Sequence, residues 1–169
     1  MKTVHIGTEK YFLRNALRSD VPHLRALVNS AYKELSDMGL NYTATYQDED
    51  ITLKRIEKGI AFVLLDEARI VATVLLSKEN HITNRNTGYI SQFAVTPQLK
   101  KNRIGSFLMS YCEQQAQASG FEGVQLDTAI PASHLVNWYQ KLGYAVVGEI
   151  QWDGKTYKSY IFEKIFKLN

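Results

Sequence analysis

The chain has 169 residues, of which 45% are hydrophobic and 22% are charged. This composition excludes a disordered or low-complexity chain, and the length predicts one domain over residues 1–169, with 1–10 as a flexible or edge segment. The formal net charge of +3 suits an anionic ligand but is too small to argue for nucleic acid as a partner.

Cysteine and histidine usage argues against a metal protein. Cys112 is the single cysteine, which excludes an intrachain disulfide and a thiolate metal cluster, and we expect it to be packed in the core. His5, His23, His81 and His134 lack metal-ligand spacing. No apolar run has the length of a signal peptide or a membrane span. We therefore predict a cytoplasmic protein with no metal and no membrane partner.

The first half of the chain predicts three strands and two helices. The predicted strands are Tyr11–Leu17, Ala61–Asp66 and Ile70–Ser77, the last two forming a hairpin. Asp20 and Pro22 begin an amphipathic helix, and the acids from Asp48 begin a second helix that includes Ile60.

The acids at the start of the second helix have two interpretations. Asp48 and Glu49 most simply complement the helix dipole. Alternatively, either acid helps Tyr42 and Tyr46 to hold a cationic substrate.

The second half begins with the stretch Tyr89–Ser106. A strand over Tyr89–Val95 is followed by Pro97, a basic turn and a helix that starts at Ile104 and ends near Gly120. Strands over Val124–Thr128, Tyr144–Ile150 and Tyr157–Ile165 follow, with a helix from Pro131 to Leu142 before the last pair. The order β-α-α-β-β-β-α-β-α-β-β predicts an α+β fold with helices on both faces of one sheet.

The basic turn contains Lys100, Lys101 and Arg103. A strand that enters a helix through such a turn is typical of a phosphate site, because the free N–H groups at a helix start bind anions. Between Glu79 and Glu113 the sequence has no acidic residue, so an anion is expected to meet no repulsion. The turn therefore fits a phosphate-bearing cofactor, a nucleic-acid backbone or a solvated basic surface.

Two segments resemble the GNAT superfamily of N-acetyltransferases. AVTPQLKKNRIGSFLM, Ala94–Met109, resembles its acetyl-CoA-binding signature, in which a strand ending in Val-x-Pro leads to an Arg/Gln-x-x-Gly-x-Gly/Ala turn and a helix. LVNWYQKLGYAVVGE, Leu135–Glu149, is similar to its later aromatic-Tyr-x-Lys-x-Gly-Phe/Tyr segment. The resemblance covers nearly the whole chain. It implies a mixed, mostly antiparallel central sheet. It also implies direct acetyl transfer in a ternary complex, from acetyl-CoA to a primary amine of a small molecule rather than of a protein.

The resemblance also implies site residues. The backbone of Phe93, Ala94 and Val95 is expected to hold the pantetheine, with the Val95 N–H donating to the thioester carbonyl, and Tyr139 is the expected acid for the leaving thiolate. The expected cofactor-binding residues are Phe93, Ala94, Val95, Lys100, Lys101, Asn102, Arg103, Ile104, Gly105, Ser106, Ser133 and Tyr139. The expected substrate-binding residues are Tyr32, Tyr42, Tyr89 and Ser91. A small-molecule amine is the expected partner, and a homodimer stays open.

The sequence departs from the family pattern at three positions. Lys100 replaces arginine or glutamine, and Arg103 replaces the first turn glycine, which we expect to require a negative φ. Ala132 replaces an asparagine, leaving Ser133 as the nearest polar residue.

No general base is evident in the strand. Alternation places Tyr89, Ser91, Phe93 and Val95 on one face, where the family often has glutamate or histidine at the first two positions. We expect a water-relayed proton or an amine that arrives partly deprotonated. The absent base leaves a non-catalytic acyl-CoA-binding regulator as the alternative.

Overall fold

The computed structural model describes residues 1–79 and 83–167 as one eight-stranded sheet with helices on both faces. The strands are β1 (Lys2–Ile6), β2 (Glu9–Asn15), β3 (Gly59–Asp66), β4 (Arg69–Ser77), β5 (Thr87–Val95), β6 (Gly123–Ala129), β7 (Ala145–Ile150) and β8 (Ser159–Ile165). The helices are α1 (Val21–Asp37), α2 (Glu49–Ile56), α3 (Ile104–Ala118) and α4 (Ser133–Lys141). The predicted fold class is confirmed, and the predicted order gains one strand, β1, at the edge of the sheet.

The sheet consists of two halves that meet at a short parallel pairing. The strand order is β1-β2-β3-β4-β5-β6-β8-β7, and every neighbouring pair is antiparallel except β5 with β6. That pairing joins only residues 87–89 to 123–125 among the described residues. From Ile90 onward, β5 therefore has an open edge on the side of β6.

Helices cover both faces of the sheet, and strand alternation connects them to it. On β3, Phe62 and Leu64 pack in the cluster that contains α3, whereas Val63 and Leu65 pack with Leu24 of α1. A strand buried on both faces reads as a continuous apolar run rather than an alternating one. This is why β3 and β4 were recognisable as short β-branched runs.

Several predicted boundaries differ from the observed ones. The second helix ends at Ile56, and Ile60 lies in β3, because a strand that pairs with β4 begins at Gly59. The fourth helix begins at Ser133 rather than Pro131. Within the described part of the chain, no helix has the length and apolarity needed to cross a membrane.

Two predicted local features have clear structural outcomes. Asp48 caps α2, since its Oδ1 accepts a hydrogen bond from the Ile51 N–H at 2.8 Å. Cys112 is fully buried, and burial raises the pKa of its thiol to about 12. The prediction of a packed cysteine is confirmed. His81 lies outside the described residues.

Candidate active site

A β-bulge in β5 changes which face of the sheet the side chains beyond it point to. Leu75 of β4 pairs with Ser91 and Thr73 pairs with Ala94, so β5 contains one extra residue, and Gln92 has a φ of 50°. An extra residue reverses the alternation of side chains beyond it.

The bulge separates residues that simple alternation placed together. Tyr89 and Ser91 line a cavity on one side, whereas Phe93 and Val95 pack against the cluster around α3. The prediction that all four side chains share one face is therefore wrong. Buried hydrogen bonds support the bulge, because Gln47 Nε2 donates to Gln92 Oε1 at 2.9 Å.

Two cavities meet beside the bulge. The first, called the turn cavity, has a volume of about 380 Å³ and extends from α1 and α4 to the basic turn at Leu99–Ser106. The second, called the aromatic cavity, has a volume of about 510 Å³ and lies between β5, β6 and the segment 152–157. Tyr32, Phe93 and Tyr139 line both cavities and form their junction.

The basic turn presents backbone donors to the turn cavity. The first hydrogen bond of α3 runs from the Phe107 N–H to the Arg103 carbonyl at 3.0 Å, so the N–H groups of residues 104–106 precede the helical ladder and can bind an anion. Lys101 and Arg103 have φ values of 73° and 61°. The expected negative φ of Arg103 is wrong. Left-handed residues in such turns help successive N–H groups to form an anion-binding concavity.

The charge around the turn includes an acid that the local sequence does not show. Lys100 Nζ lies 3.3 Å from Glu34 Oε2, and both side chains are exposed, at 43% and 66%. Glu34 belongs to α1 and lines the turn cavity. The expectation that an anion meets no acid here is therefore corrected. An exposed pair of this kind contributes at most about 1 kcal/mol, so an anion can compete for Lys100.

Gly105 lets the start of α3 approach two aromatic rings closely. The rings of Phe93 and Trp138 stack with their centroids 5.5 Å apart. A Cβ atom at Gly105 would lie 3.3 Å from Phe93 Cζ and 3.5 Å from Trp138 Cζ2. A larger residue would therefore press on the stacked pair that forms a wall of the turn cavity.

The end of β5 directs backbone groups into the gap between the half-sheets. The Thr96 N–H donates to the Val71 carbonyl at 2.8 Å. Because hydrogen-bonded and non-hydrogen-bonded pairs alternate along an antiparallel ladder, the N–H of Val95, which is opposite Ala72, points away from β4. The Phe93 carbonyl accepts a hydrogen bond from the Tyr32 hydroxyl at 3.0 Å.

Tyr139 places a protonated hydroxyl at the junction. Its side chain is 7% exposed. Burial, with Tyr32, Tyr42 and Asp127 nearby, holds the pKa of its hydroxyl well above the ordinary value. The hydroxyl has no hydrogen-bond partner among the described residues. It is therefore a proton donor that is free to bind a group in the cavities.

Aromatic side chains form a rigid wall of the aromatic cavity. Tyr42 stacks on Tyr157 with ring centroids 4.9 Å apart. Its hydroxyl accepts a hydrogen bond from the Ala129 N–H at 2.7 Å and lies 2.8 Å from Thr128 Oγ1. The predicted substrate residues Tyr32, Tyr42, Tyr89 and Ser91 all line this cavity.

Asp127 of β6, which sequence reasoning missed, lines the aromatic cavity together with the acids Glu79 and Asp153. Its carboxylate accepts hydrogen bonds from the Tyr89 hydroxyl and, at 3.0 Å, from Trp152 Nε1. Burial and this carboxylate raise the pKa of Tyr89, so Tyr89 is a donor rather than a base. Neither Asp48 nor Glu49 lines the cavity, which contradicts the alternative that these acids hold a cation. The sequence feature that indicates Asp127 is that it is the one acid in the strand GVQLDTA.

Comparison with known proteins assigns the family. Residues 24–144 match the pattern of the Acetyltransferase (GNAT) family. The chain belongs to this family. It is therefore an acyltransferase, as the resemblance implied, and the predicted superfamily is confirmed.

Relatives of this GNAT chain include two Bacillus subtilis (strain 168) enzymes. S-(2-succino)cysteine N-acetyltransferase is 29% identical over 140 residues, which cover 80% of this chain and 85% of the relative. S-alkylcysteine N-acetyltransferase is 25% identical over 146 residues, covering 83% and 82%. The Salmonella typhimurium protein yncA, whose structure contains its cofactor acetyl-CoA, shares the fold with a TM-score of 0.73 at 14% identity, covering 95% and 96%.

Most of the cofactor residues expected for a GNAT protein lie together. Phe93, Ala94, Val95, Lys100, Lys101, Arg103, Gly105, Ser106 and Tyr139 line the turn cavity. The side chains of Asn102 and Ser133 are exposed outside the lining, and that of Ile104 is buried in the core. His134, Leu135 and Trp138 line the cavity instead. The described residues contain no group of three or more acidic, histidine or cysteine side chains that could hold a metal ion.

Proposed function

We propose that this GNAT protein transfers the acetyl group of acetyl-CoA to the primary amine of a small molecule by direct transfer in a ternary complex. The observation that carries the proposal is the junction at Tyr32, Phe93 and Tyr139, where the two cavities meet. A thioester held in the turn cavity and an amine held in the aromatic cavity come together at this place. The donor and the acceptor therefore enter from different sides and need no covalent enzyme intermediate.

The turn cavity fits the donor. Lys100, Lys101, Arg103 and the N–H groups at the start of α3 are suited to a pyrophosphate. The open edge of β5 offers backbone groups to the pantetheine amides, as an added strand would use them. Acetyl-CoA supplies an activated acetyl thioester to this site.

The residues at the junction have separate roles in the transfer. The amine nitrogen forms a bond to the acetyl carbon, and the bond between that carbon and sulfur breaks. The Val95 N–H donates to the oxygen that becomes negative. Tyr139 gives its proton to the departing sulfur and regains one, through water, from the acylated nitrogen. For a neutral amine the balance is one proton moved from nitrogen to sulfur, and an amine that binds as ammonium first loses one further proton to water.

The aromatic cavity fits a small acceptor. Its volume of about 510 Å³ lies in the range of small-molecule sites. The two Bacillus subtilis relatives act, by their names, on S-(2-succino)cysteine and S-alkylcysteine, which are small molecules with one amino group. This supports a small-molecule amine over a protein as the acceptor.

Steady-state kinetics test the proposal. Release of free coenzyme A thiol is measured with a panel of small primary amines while both substrates are varied. Direct transfer predicts intersecting double-reciprocal lines and no burst of thiol in the absence of amine, whereas parallel lines indicate a covalent intermediate. If coenzyme A binds and no amine in the panel is acetylated, the enzyme function is refuted and the regulator alternative is supported.

A further inference from the structure

We infer that the acceptor is a zwitterion, an amino acid whose ammonium group is held by Asp127 and whose carboxylate is held by Arg55. This inference rests on the proposed function, since it names the class of amine that enters the aromatic cavity. Both residues line that cavity. Neither was part of the site expected from the sequence.

Arg55 is a partly buried cation that lacks an anion. It lies in the last turn of α2 and lines the aromatic cavity. Among the described residues no carboxylate lies within 4.0 Å of its guanidinium, whereas Arg18 and Arg25 pair with Glu57 and Glu49. A guanidinium offers a planar fork of donors that matches a carboxylate. A cavity-facing fork of this kind is a site for an acidic group of the ligand.

Asp127 is the complementary anion. The two hydrogen bonds it receives come from the neutral groups of Tyr89 and Trp152. No cation of the described residues lies within 4.0 Å of its carboxylate. A carboxylate has about four lone-pair sites. Two of them therefore stay available to the three donors of an ammonium group.

The two lysines of the cavity and Glu79 have partners that occupy them. Lys58 Nζ lies 3.1 Å from Glu79 Oε1. Lys155 Nζ donates to the Asn41 carbonyl at 2.8 Å and to Thr43 Oγ1 at 2.9 Å, and it also contacts the Tyr46 hydroxyl at 3.2 Å. Lys155 is thereby fixed to the loop before α2. Asp153 also lines the cavity, but its side chain is exposed in the turn before Lys155. Among the described lining residues, Arg55 and Asp127 therefore remain as the partly buried pair of opposite charges.

The positions of the two charges orient the ligand. Asp127 belongs to β6, which borders the open edge of β5, and it accepts a hydrogen bond from the Tyr89 hydroxyl of β5. Arg55 belongs to the last turn of α2. Asp127 is therefore the charge beside the open edge of β5, where the thioester is held. An amino acid bound between the two charges has its nitrogen toward the thioester and its carboxylate toward α2.

The experiment compares three amines that differ in the carboxylate alone. S-methyl-L-cysteine carries it, S-methyl-L-cysteinamide replaces it with a neutral amide, and S-methylcysteamine lacks it. We expect kcat/KM for the acid to exceed that for the amide by about 10- to 100-fold, the range of a charged hydrogen-bonded contact. In Arg55→Gln the acid should fall to the level of the amide, while the values for the two probes that lack a carboxylate should change much less than that for the acid. Arg55→Lys should keep part of the preference, because it retains the charge and loses the fork.

Two variants act as controls. Lys54→Gln removes the same charge from a neighbouring, exposed position of α2, and it should change the preference for the acid by less than about twofold, since exposed charges interact weakly. Asp127→Asn should lower kcat/KM for all three probes, because all three carry the ammonium group. Circular dichroism melting curves show whether each variant is folded.

The outcomes separate this inference from the proposed function. If the wild-type protein acetylates the acid and the amide equally well, the inference is overturned and acetyl transfer stands. If none of the probes is acetylated, acetyl transfer to such amines is contradicted. The inference is then decided by calorimetric titration of S-methyl-L-cysteine into the protein saturated with coenzyme A. Binding of the acid that Arg55→Gln weakens at least tenfold supports the zwitterion site. Binding that the variant leaves unchanged, or no binding of the acid, overturns it.

Discussion

Replacing Tyr139 with phenylalanine removes one oxygen atom at the junction of the two cavities. The hydroxyl has no hydrogen-bond partner among the described residues, so the folded protein loses no internal hydrogen bond. We expect the free energy of unfolding to change by less than about 1 kcal/mol. A general acid contributes about 10²- to 10⁴-fold to a rate, which is about 3–5 kcal/mol of activation free energy. The expected result is a large loss of kcat in a protein of unchanged stability.

The assay is thiol release at saturating acetyl-CoA, combined with a thermal melt. Tyr144→Phe is a matched control, because its hydroxyl donates to Glu113 Oε1 at 2.8 Å and lines neither cavity. That variant should keep kcat and lose about 1.5–3 kcal/mol of stability, because the lost hydrogen bond is to a charged carboxylate. If Tyr139→Phe retains kcat to within about threefold, a contribution below 1 kcal/mol, the hydroxyl is not the acid and the mechanism is refuted.

Three further measurements address other parts of the structure. Lys100→Gln should raise the Kd for coenzyme A about three- to fivefold in calorimetry, the effect of an exposed charge; an unchanged Kd would place the pyrophosphate elsewhere. Burial raises the pKa of Asp20, but hydrogen bonds from Arg14 and the Leu17 N–H outweigh it and lower the pKa overall. The stability from this group is therefore present above about pH 4 and lost as the pH falls through the folded-state pKa. Melting temperatures of wild type and Asp20→Asn should converge in acid. Burial raises the pKa values of Tyr89 and Tyr139. The contribution of these two hydroxyls to the free energy of unfolding is therefore complete below about pH 10 and is lost as the pH rises through the folded-state pKa values. Ultraviolet titration should show both phenols ionising only as the protein unfolds.

Local patterns predicted most of the fold. The strands β3 and β4 are apolar runs bounded by a polar turn, and α3 begins directly after a basic turn, so the type and order of these elements depend on nearby residues. The single domain over residues 1–169, the cytoplasmic location and the homodimer stay predictions. The edge strand β1 was missed as a definite element, because its short polar sequence acquires its structure by pairing with β2.

The errors in the site come from contacts that are distant in sequence. The bulge at Gln92 depends on a hydrogen bond from Gln47, 45 residues away, and no local pattern predicts it. Glu34 reaches the turn cavity because α1 packs beside it. Asp127 faces the aromatic cavity because β6 diverges from β5 after residues 123–125. An inventory of charges along the sequence cannot show which charges share a cavity.

The divergence of β5 from β6 has a consequence for how this site can evolve. The donors at the end of β5 belong to the main chain, so their positions depend on the separation of two half-sheets and hardly on side-chain identity. Substitutions along the strand can therefore accumulate while the cleft persists. Acceptor preference, in contrast, depends on a few side chains of the aromatic cavity, and it can change without any change in the framework that holds the donor.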